Sequence, residues 1–280
     1  TDMQDGYPVF TSWTDPYAGR SATSDYTCVK SNIVVIGDIN THDGNRLPSA
    51  DAANNIPDIN AWRTVVQKFE KKNSGTYVDG QGVTQYISNP NSANGSVPSG
   101  TQTSQIMGSA YWARTHDIRG TGWTGNTSAQ RPGLRVKTFT FDVNEYNAQA
   151  NASTRRTANQ FFMASKYGGF ETDASSAATS IVAGKSTKDT YNTKGNPFYR
   201  DDMTTADAYV WKDTDARASR QDEANTYFLQ SDARGVLSAF DDIFKRASSA
   251  LASIAGGAIQ SQKKQVNNTI YQGYFDTLDW

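Results

Sequence analysis

Cysteine is nearly absent: Cys28 is the only thiol in 280 residues, so no disulfide can close within the sequence. In a cytosolic protein a lone thiol is unremarkable; in an exported one its partner would lie outside this sequence. Long apolar runs are absent too. Nothing approaches the roughly 20 residues that a spanning helix needs, so no membrane-spanning segment is expected. Basic clusters are missing: 27 Lys and Arg stand against 28 Asp and Glu, the formal charge is −1, and no block stands out. A nucleic-acid groove would show clustered cations, so no nucleic-acid partner is expected. Thr1 opens in polar sequence with no leader, as in a mature or excised fragment.

The common signatures of catalysis are missing as well. No phosphate loop of the form G-x-x-x-x-G-K-[ST] and no strand followed by G-x-G-x-x-G occurs. Gly120, Gly122 and Gly125 lie in a loop before a strand, the reverse of the dinucleotide order. No G-x-S-x-G elbow and no H-E-x-x-H is present, and nothing local joins Cys28 to His42 or His116 as a thiol dyad. The Asp38-x-Asn40-x-His42 and Asp213-x-Asp215 stretches both lack the sixth-position glycine of a calcium loop. The acid pairs Asp201-Asp202 and Asp241-Asp242 read as solvated turns or helix faces.

What is present is a polar, folded composition, 36% apolar and 11% aromatic, with a mean hydropathy of −0.66. Its wealth of Ser, Thr, Asn, Gly and Tyr suits a bacterial exported or surface protein. Residues 1–30 read as an aromatic-rich lead-in. SNIVVIG, residues 31–37, is a β-branched run that predicts a central strand covered on both faces. Ile59, Trp62, Val65, Val66 and Phe69 follow at helical spacing behind Asp58 as N-cap. Residues 74–100 read as an excursion containing a hairpin around Asp79-Gly80-Gln81-Gly82.

A second helix is predicted over 104–114. LRVKTFTFDV, residues 134–143, alternates as a second strand. A helix over 155–166 ends at Gly168-Gly169, which predicts a left-handed C-cap. Residues 171–224 read as an insertion, because so long a weakly periodic stretch is uncommon inside a compact domain. A short strand over 226–229 precedes the most amphipathic helix, 231–248. Its apolar stripe is Val236, Leu237, Phe240, Ile243 and Phe244, and Ser231 or Asp232 caps it. Thr269 to Phe275 alternates as a strand leaving the domain.

This order predicts an α/β domain with a mainly parallel sheet flanked by helices, whose ligands sit beyond the carboxyl ends of the strands. Asp38, Asn144 and Glu145 stand there. Two clear strands fall short of a doubly wound sheet, which implies that something is missing before residue 1. Asp38 ends a buried strand, so its carboxylate must be bonded, paired or metal-bound. Two readings stay open: a functional acid or metal ligand, or a strand end accepting bonds from the loop amides of Asn40 and Thr41.

Four segments in order resemble a von Willebrand A-type domain lacking its first part. They are Asn32-Ile33-Val34-Val35-Ile36-Gly37-Asp38, the strand Arg135 to Val143, the helix Ala158 to Gly169, and Tyr227-Phe228-Leu229 leading into Leu237 to Phe244. Finer words resemble the PilC/PilY family of type IV pilus tip-associated proteins. These are IGDINTHDGNRLP, YWARTHDIR, RPGLRVKTFTFDVNEY and ASKYGGF, with YQGYFDTLDW similar to the lead-in of that family's β-propeller.

The resemblance implies a von Willebrand A-like, Rossmann-like domain over 31–260 with insertions at about 74–100 and 171–224, and a linker over 261–280. It implies a non-enzymatic adhesin and pilus-biogenesis module, exported to the pilus tip or outer membrane of a Gram-negative bacterium. Its partners would be minor pilins and a host or abiotic surface ligand. Of the family's metal-ion site only Asp38 matches a position; D-x-S-x-S is absent, so Mg2+ or Ca2+ binding by this chain alone is doubtful. Asn40, Thr41, Asn144 and Glu145 are the other candidate binding residues. The rival expectations are a metal-dependent ligand-binding domain of another surface protein, and a hydrolase using Asp38 with Asp142 or Glu145.

Overall fold

The computed structural model describes residues 14–39, 48–70, 75–78, 84–87, 105–144, 149–170, Phe198, Trp211, 223–230 and 233–249. Two compact units divide the chain, residues 1–231 and 232–280. The first is a mixed α/β fold built on a small, open parallel sheet with helices packed against it.

Three strands make that sheet: β1 (Ser31–Gly37), β4 (Val136–Asp142) and β5 (Tyr227–Leu229), in the order β1-β4-β5. Both pairings are parallel, with Ser31 opposite Val136, Gly37 opposite Asp142, and Asp142 opposite Leu229. Parallel neighbours demand crossovers, and the helices between the strands supply them. Among the described residues β4, not β1, is the central strand. Every β4 position except Lys137 is buried, whereas Ile33 and Ile36 of β1 are 51% and 55% exposed. The expectation of a doubly covered β1 fails for a physical reason. A β-branched run reports a fit to the pleat, not the number of neighbours a strand will have.

One face of the sheet is covered by α2 (Gln105–Thr115) and α4 (Gln160–Gly168), with α1 (Ile59–Phe69) packed against α2. Asp58 caps α1 as expected, its carboxylate accepting from the amides of Asn60 and Ala61 at 3.0 Å each. Such a cap is worth about 1 kcal/mol. Helices α1 and α2 meet almost backbone to backbone at Gly108, where an added Cβ would stand 2.3 Å from the Arg63 nitrogen. Between the helices lies an aromatic core of Phe69, Tyr111, Tyr167, Phe170 and Phe198, filled by Val66, Met107 and Met163. Phe198 sits 4.8 Å from Phe69 and 4.9 Å from Tyr167, ring centre to ring centre, in the inclined geometries that aromatic quadrupoles favour. Phe198 and Trp211, from the stretch read as an insertion, thus both pack on the core.

Two details of α4 depart from the sequence reading. The single helix expected over 155–166 is two, α3 (Ala152–Ala158) and α4, broken at Asn159 with φ −94° and ψ 114°. Helical periodicity runs through the break, but Asn159 caps α4 with its own side chain and is pulled into a buried polar cluster. The glycine pair does not form a left-handed cap either, since Gly169 has φ −117° and ψ −1°. Close approach is what requires glycine there. A Cβ on Gly168 would come within 2.8 Å of the Ala110 and Thr138 Cβ atoms, and one on Gly169 within 2.1 Å of the Thr226 hydroxyl.

The expected hairpin is present as β2 (Gly75–Val78) paired antiparallel with β3 (Thr84–Ile87); its turn lies outside the described residues. In the second unit the described residues form α5 (Ala233–Ser249). Its predicted stripe is split: Ile243 is buried with Ala239, while Leu237 and Phe244 are 73% and 62% exposed. The predicted cap at Ser231 or Asp232 and the strand over 269–275 lie outside the described residues. Among the described residues no helix is long and apolar enough to cross a membrane.

Candidate functional site at the carboxyl end of the sheet

Asp142 closes β4 at full burial, and its carboxylate is the hub of the carboxyl end. Oδ1 accepts from the Asn144 amide at 2.9 Å; Oδ2 accepts from Asn159 Nδ2 at 2.7 Å and from the Tyr227 hydroxyl at 3.0 Å. Charge-assisted bonds of this kind are the strong ones, and three of them meet on this one buried side chain. Burial first, and then the Asp142 charge, push the Tyr227 hydroxyl far above its ordinary range. Tyr227 therefore stays protonated and donates.

The cluster extends outward without a gap. Asn159 Nδ2 also reaches Gln149 Oε1 at 3.0 Å, and its Oδ1 accepts from the Phe162 amide at 2.9 Å. Asn144 takes a left-handed φ of 53°, a conformation that Asn tolerates better than most residues, and its Oδ1 accepts from the Gln149 amide at 2.9 Å. Arg155 of α3 ties the rim. It pairs with Glu223, both side chains being at most 10% exposed, and donates to the carbonyls of Gln149 and Ala150 at 2.6 and 2.8 Å. Three stretches of the chain, 142–144, 149–162 and 223–227, thereby converge on one bonded cluster.

The sequence-predicted residues fall unevenly on this frame. Asn144 is inside the cluster but buried. Asp38 follows Gly37 at the same end and is half-buried; the register sets Gly37, not Asp38, beside Asp142. The chain after Asp38 is tied back by Gln160 Nε2, which donates to the Ile39 carbonyl at 2.6 Å. Asn40, Thr41, His42 and Glu145 lie outside the described residues. His116 is elsewhere, edge-on to Trp62 at 4.6 Å, and Cys28 is exposed. Asp241 pairs with Lys245 on an exposed face of α5, as a solvated helix acid does.

Asn159, Gln149, Tyr227, Arg155 and Glu223 are the participants that sequence reasoning missed. A polar Asn-Gln pair inside an otherwise helical run was the available signal. Mg2+ asks for near-octahedral oxygens and Ca2+ for still more ligands. Among the described residues no three His, Cys, Asp or Glu side chains come together. Searches against protein-family models, curated proteins and solved structures found no match.

Proposed function

We propose that this chain is a non-enzymatic surface module of a type IV pilus tip-associated protein, carrying a partial von Willebrand A-like domain. In this reading it serves pilus assembly and adhesion, engaging minor pilins and an external surface from the outside of a Gram-negative cell. The observation that supports it best is the parallel β1-β4-β5 sheet, in which Ser31–Gly37 and Val136–Asp142, from the first two resembling segments, are register partners. A module for contact also agrees with a carboxyl end whose central carboxylate is fully buried and spent on internal bonds.

The purified chain should co-elute with a minor pilin of its own bacterium, and deleting residues 14–249 should reduce surface piliation. Failure of every minor pilin to bind, with piliation unchanged by the deletion, would overturn the reading. Asp38 supports a second one, a metal-dependent ligand-binding domain whose other ligands come from outside the described residues. Its place one residue beyond the β1–β4 ladder is the observation in favour. Calorimetric titration with Mg2+ and Ca2+ would then give binding heat that Asp38→Ala abolishes; equal heats from both proteins would exclude it.

A further inference from the structure

The opposite, amino-terminal end of the same sheet is built differently. There a cleft of about 590 Å³ opens beside Ser31, the first residue of β1, and Leu134, just ahead of β4. That volume is within the range of small-ligand sites. Tyr17, Trp112 and Trp123 line it with Pro16, Ile56 and Pro57, and all three aromatic rings are half-buried.

The aromatic walls are held rather than loose. Arg119 lies over the rings of Tyr17 and Trp123 at 5.4 and 5.5 Å, so one face of each is taken by a fixed guanidinium. Asp15 grips that guanidinium through two bonds, of 2.9 and 2.8 Å. Trp123 Nε1 donates to Asn54 Oδ1 at 3.3 Å, and the Asn55 amide is clamped on the carbonyls of Asp117 and Ile118 at 2.9 and 3.1 Å. Trp112 stacks on His116 with an interplanar angle of 11°. Burial, then the nearby Arg135, lowers the His116 pKa, so the ring behind Trp112 is neutral at pH 7.

These features select a ligand class. The charged pair lining the cleft, Asp15 and Arg119, neutralises itself, which offers no attraction to a phosphate, a carboxylate or an ammonium group. Flat rings ask for a ligand with planar apolar faces. Asn54 Nδ2 is bonded to Asp51 and Asn55 Nδ2 to the Asp117 and Ile118 carbonyls, so the lining offers a ligand Asn55 Oδ1 as acceptor and Asn126 Nδ2 as donor, and these ask for groups that both donate and accept hydrogen bonds. An alkyl chain meets the first demand alone, and a proline-rich segment, lacking amide hydrogens, meets only half of the third. A sugar ring has C–H faces and hydroxyl edges, and meets all three.

We propose that this cleft is a binding site for a neutral oligosaccharide, with Trp112, Trp123 and Tyr17 as stacking platforms. The inference stands on the cleft alone and does not rest on the pilus reading. A printed array of neutral and acidic glycans, probed with the whole chain, should light up neutral members. Tryptophan fluorescence titration with the best neutral hit should then show saturable binding, weakened about tenfold by Trp112→Ala and by Trp123→Ala, the equivalent of one lost stacking contact.

Trp123→Tyr keeps a flat ring and should retain most of the affinity, and Leu237→Ser on α5 should retain all of it. Circular dichroism of each variant separates lost binding from lost fold. An array with no neutral hit, hits confined to acidic glycans, or binding that survives the Trp112→Ala, Trp123→Ala double variant would each overturn the proposal. So would tight binding of a decaproline peptide that no sugar displaces.

Discussion

The two ends of the parallel sheet are built on opposite principles. At the carboxyl end, where ligands of such sheets usually sit, Asp142, Asn159, Tyr227, Gln149 and Arg155 are buried and spend their polar groups on each other. At the amino end, half-buried aromatic rings frame an open cleft around a neutralised ion pair. A fully bonded buried cluster fixes a fold; an open, rigid aromatic wall presents a surface. Position in the sheet therefore does not decide which end recognises something. The difference to test is whether mutations at the carboxyl end cost stability while those at the amino end cost recognition.

The largest expected effect is Asp142→Ala. It strands the Asn144 amide and the Tyr227 hydroxyl in a buried cluster and leaves Asn159 Nδ2 with the Gln149 bond but not its shortest one. Each unmet buried donor costs about 1–3 kcal/mol, not additively, so a loss of about 4 kcal/mol is expected in urea unfolding. A loss under about 1 kcal/mol, the scale of one ordinary hydrogen bond, would mean that water reaches this end and that the contrast is false. Arg155→Met comes next. It leaves the Glu223 side chain, 8% exposed, with no guanidinium, at an expected cost of about 3 kcal/mol. Compensation by the double change Arg155→Met, Glu223→Leu would identify the cost as an unpaired charge rather than lost shape.

Tyr227→Phe is milder. It keeps the ring against Phe162, 5.4 Å away, and leaves Asp142 Oδ2 with Asn159 as its remaining partner. About 1–2 kcal/mol of stability should go, again by urea unfolding. A neutral result would show that Asn159 alone suffices.

How much of this contrast the sequence could disclose differs between the ends. The strands β1 and β4, the helices α1 and α2, the Asp58 cap and the β2–β3 hairpin follow from local pattern, because the period of apolar residues and the cap chemistry are local facts. The break at Asn159 is not local. A helical period runs across it, and only the pull of Asp142 and Gln149, brought there by tertiary packing, explains the interruption. The Gly168-Gly169 pair was legible as glycine that matters, but the reason is the proximity of Ala110, Thr138 and Thr226, residues far off in the chain. Asp142 and Asn144 were legible as a polar strand end, without any sign that they are buried. The amino-end cleft was the least legible. It gathers Tyr17, Ile56, Trp112 and Trp123 from four separate stretches, and nothing local in any of them announces that they meet.

The smallest expected effect belongs to Asp15, and it probes how firmly the amino end is held. The Arg119 guanidinium bonded to it is the main reason that its carboxyl is lowered from 3.8 to about 2. A depressed acid stabilises the fold fully above the unfolded value near 3.8, and that contribution disappears as pH falls through about 2. Its side chain is 34% exposed, so solvent screening keeps the contribution below about 1 kcal/mol. Asp15→Asn should therefore be slightly less stable than the parent above about pH 5, with the gap closing between about pH 4 and 2. Added salt at neutral pH should shrink the gap too, as for any exposed pair. If the gap is large and independent of pH, Asp15 holds the cleft by packing rather than by charge. The amino end would then be as structural as the carboxyl end, and the cleft's rigidity, more than its ion pair, would be what any bound ligand depends on.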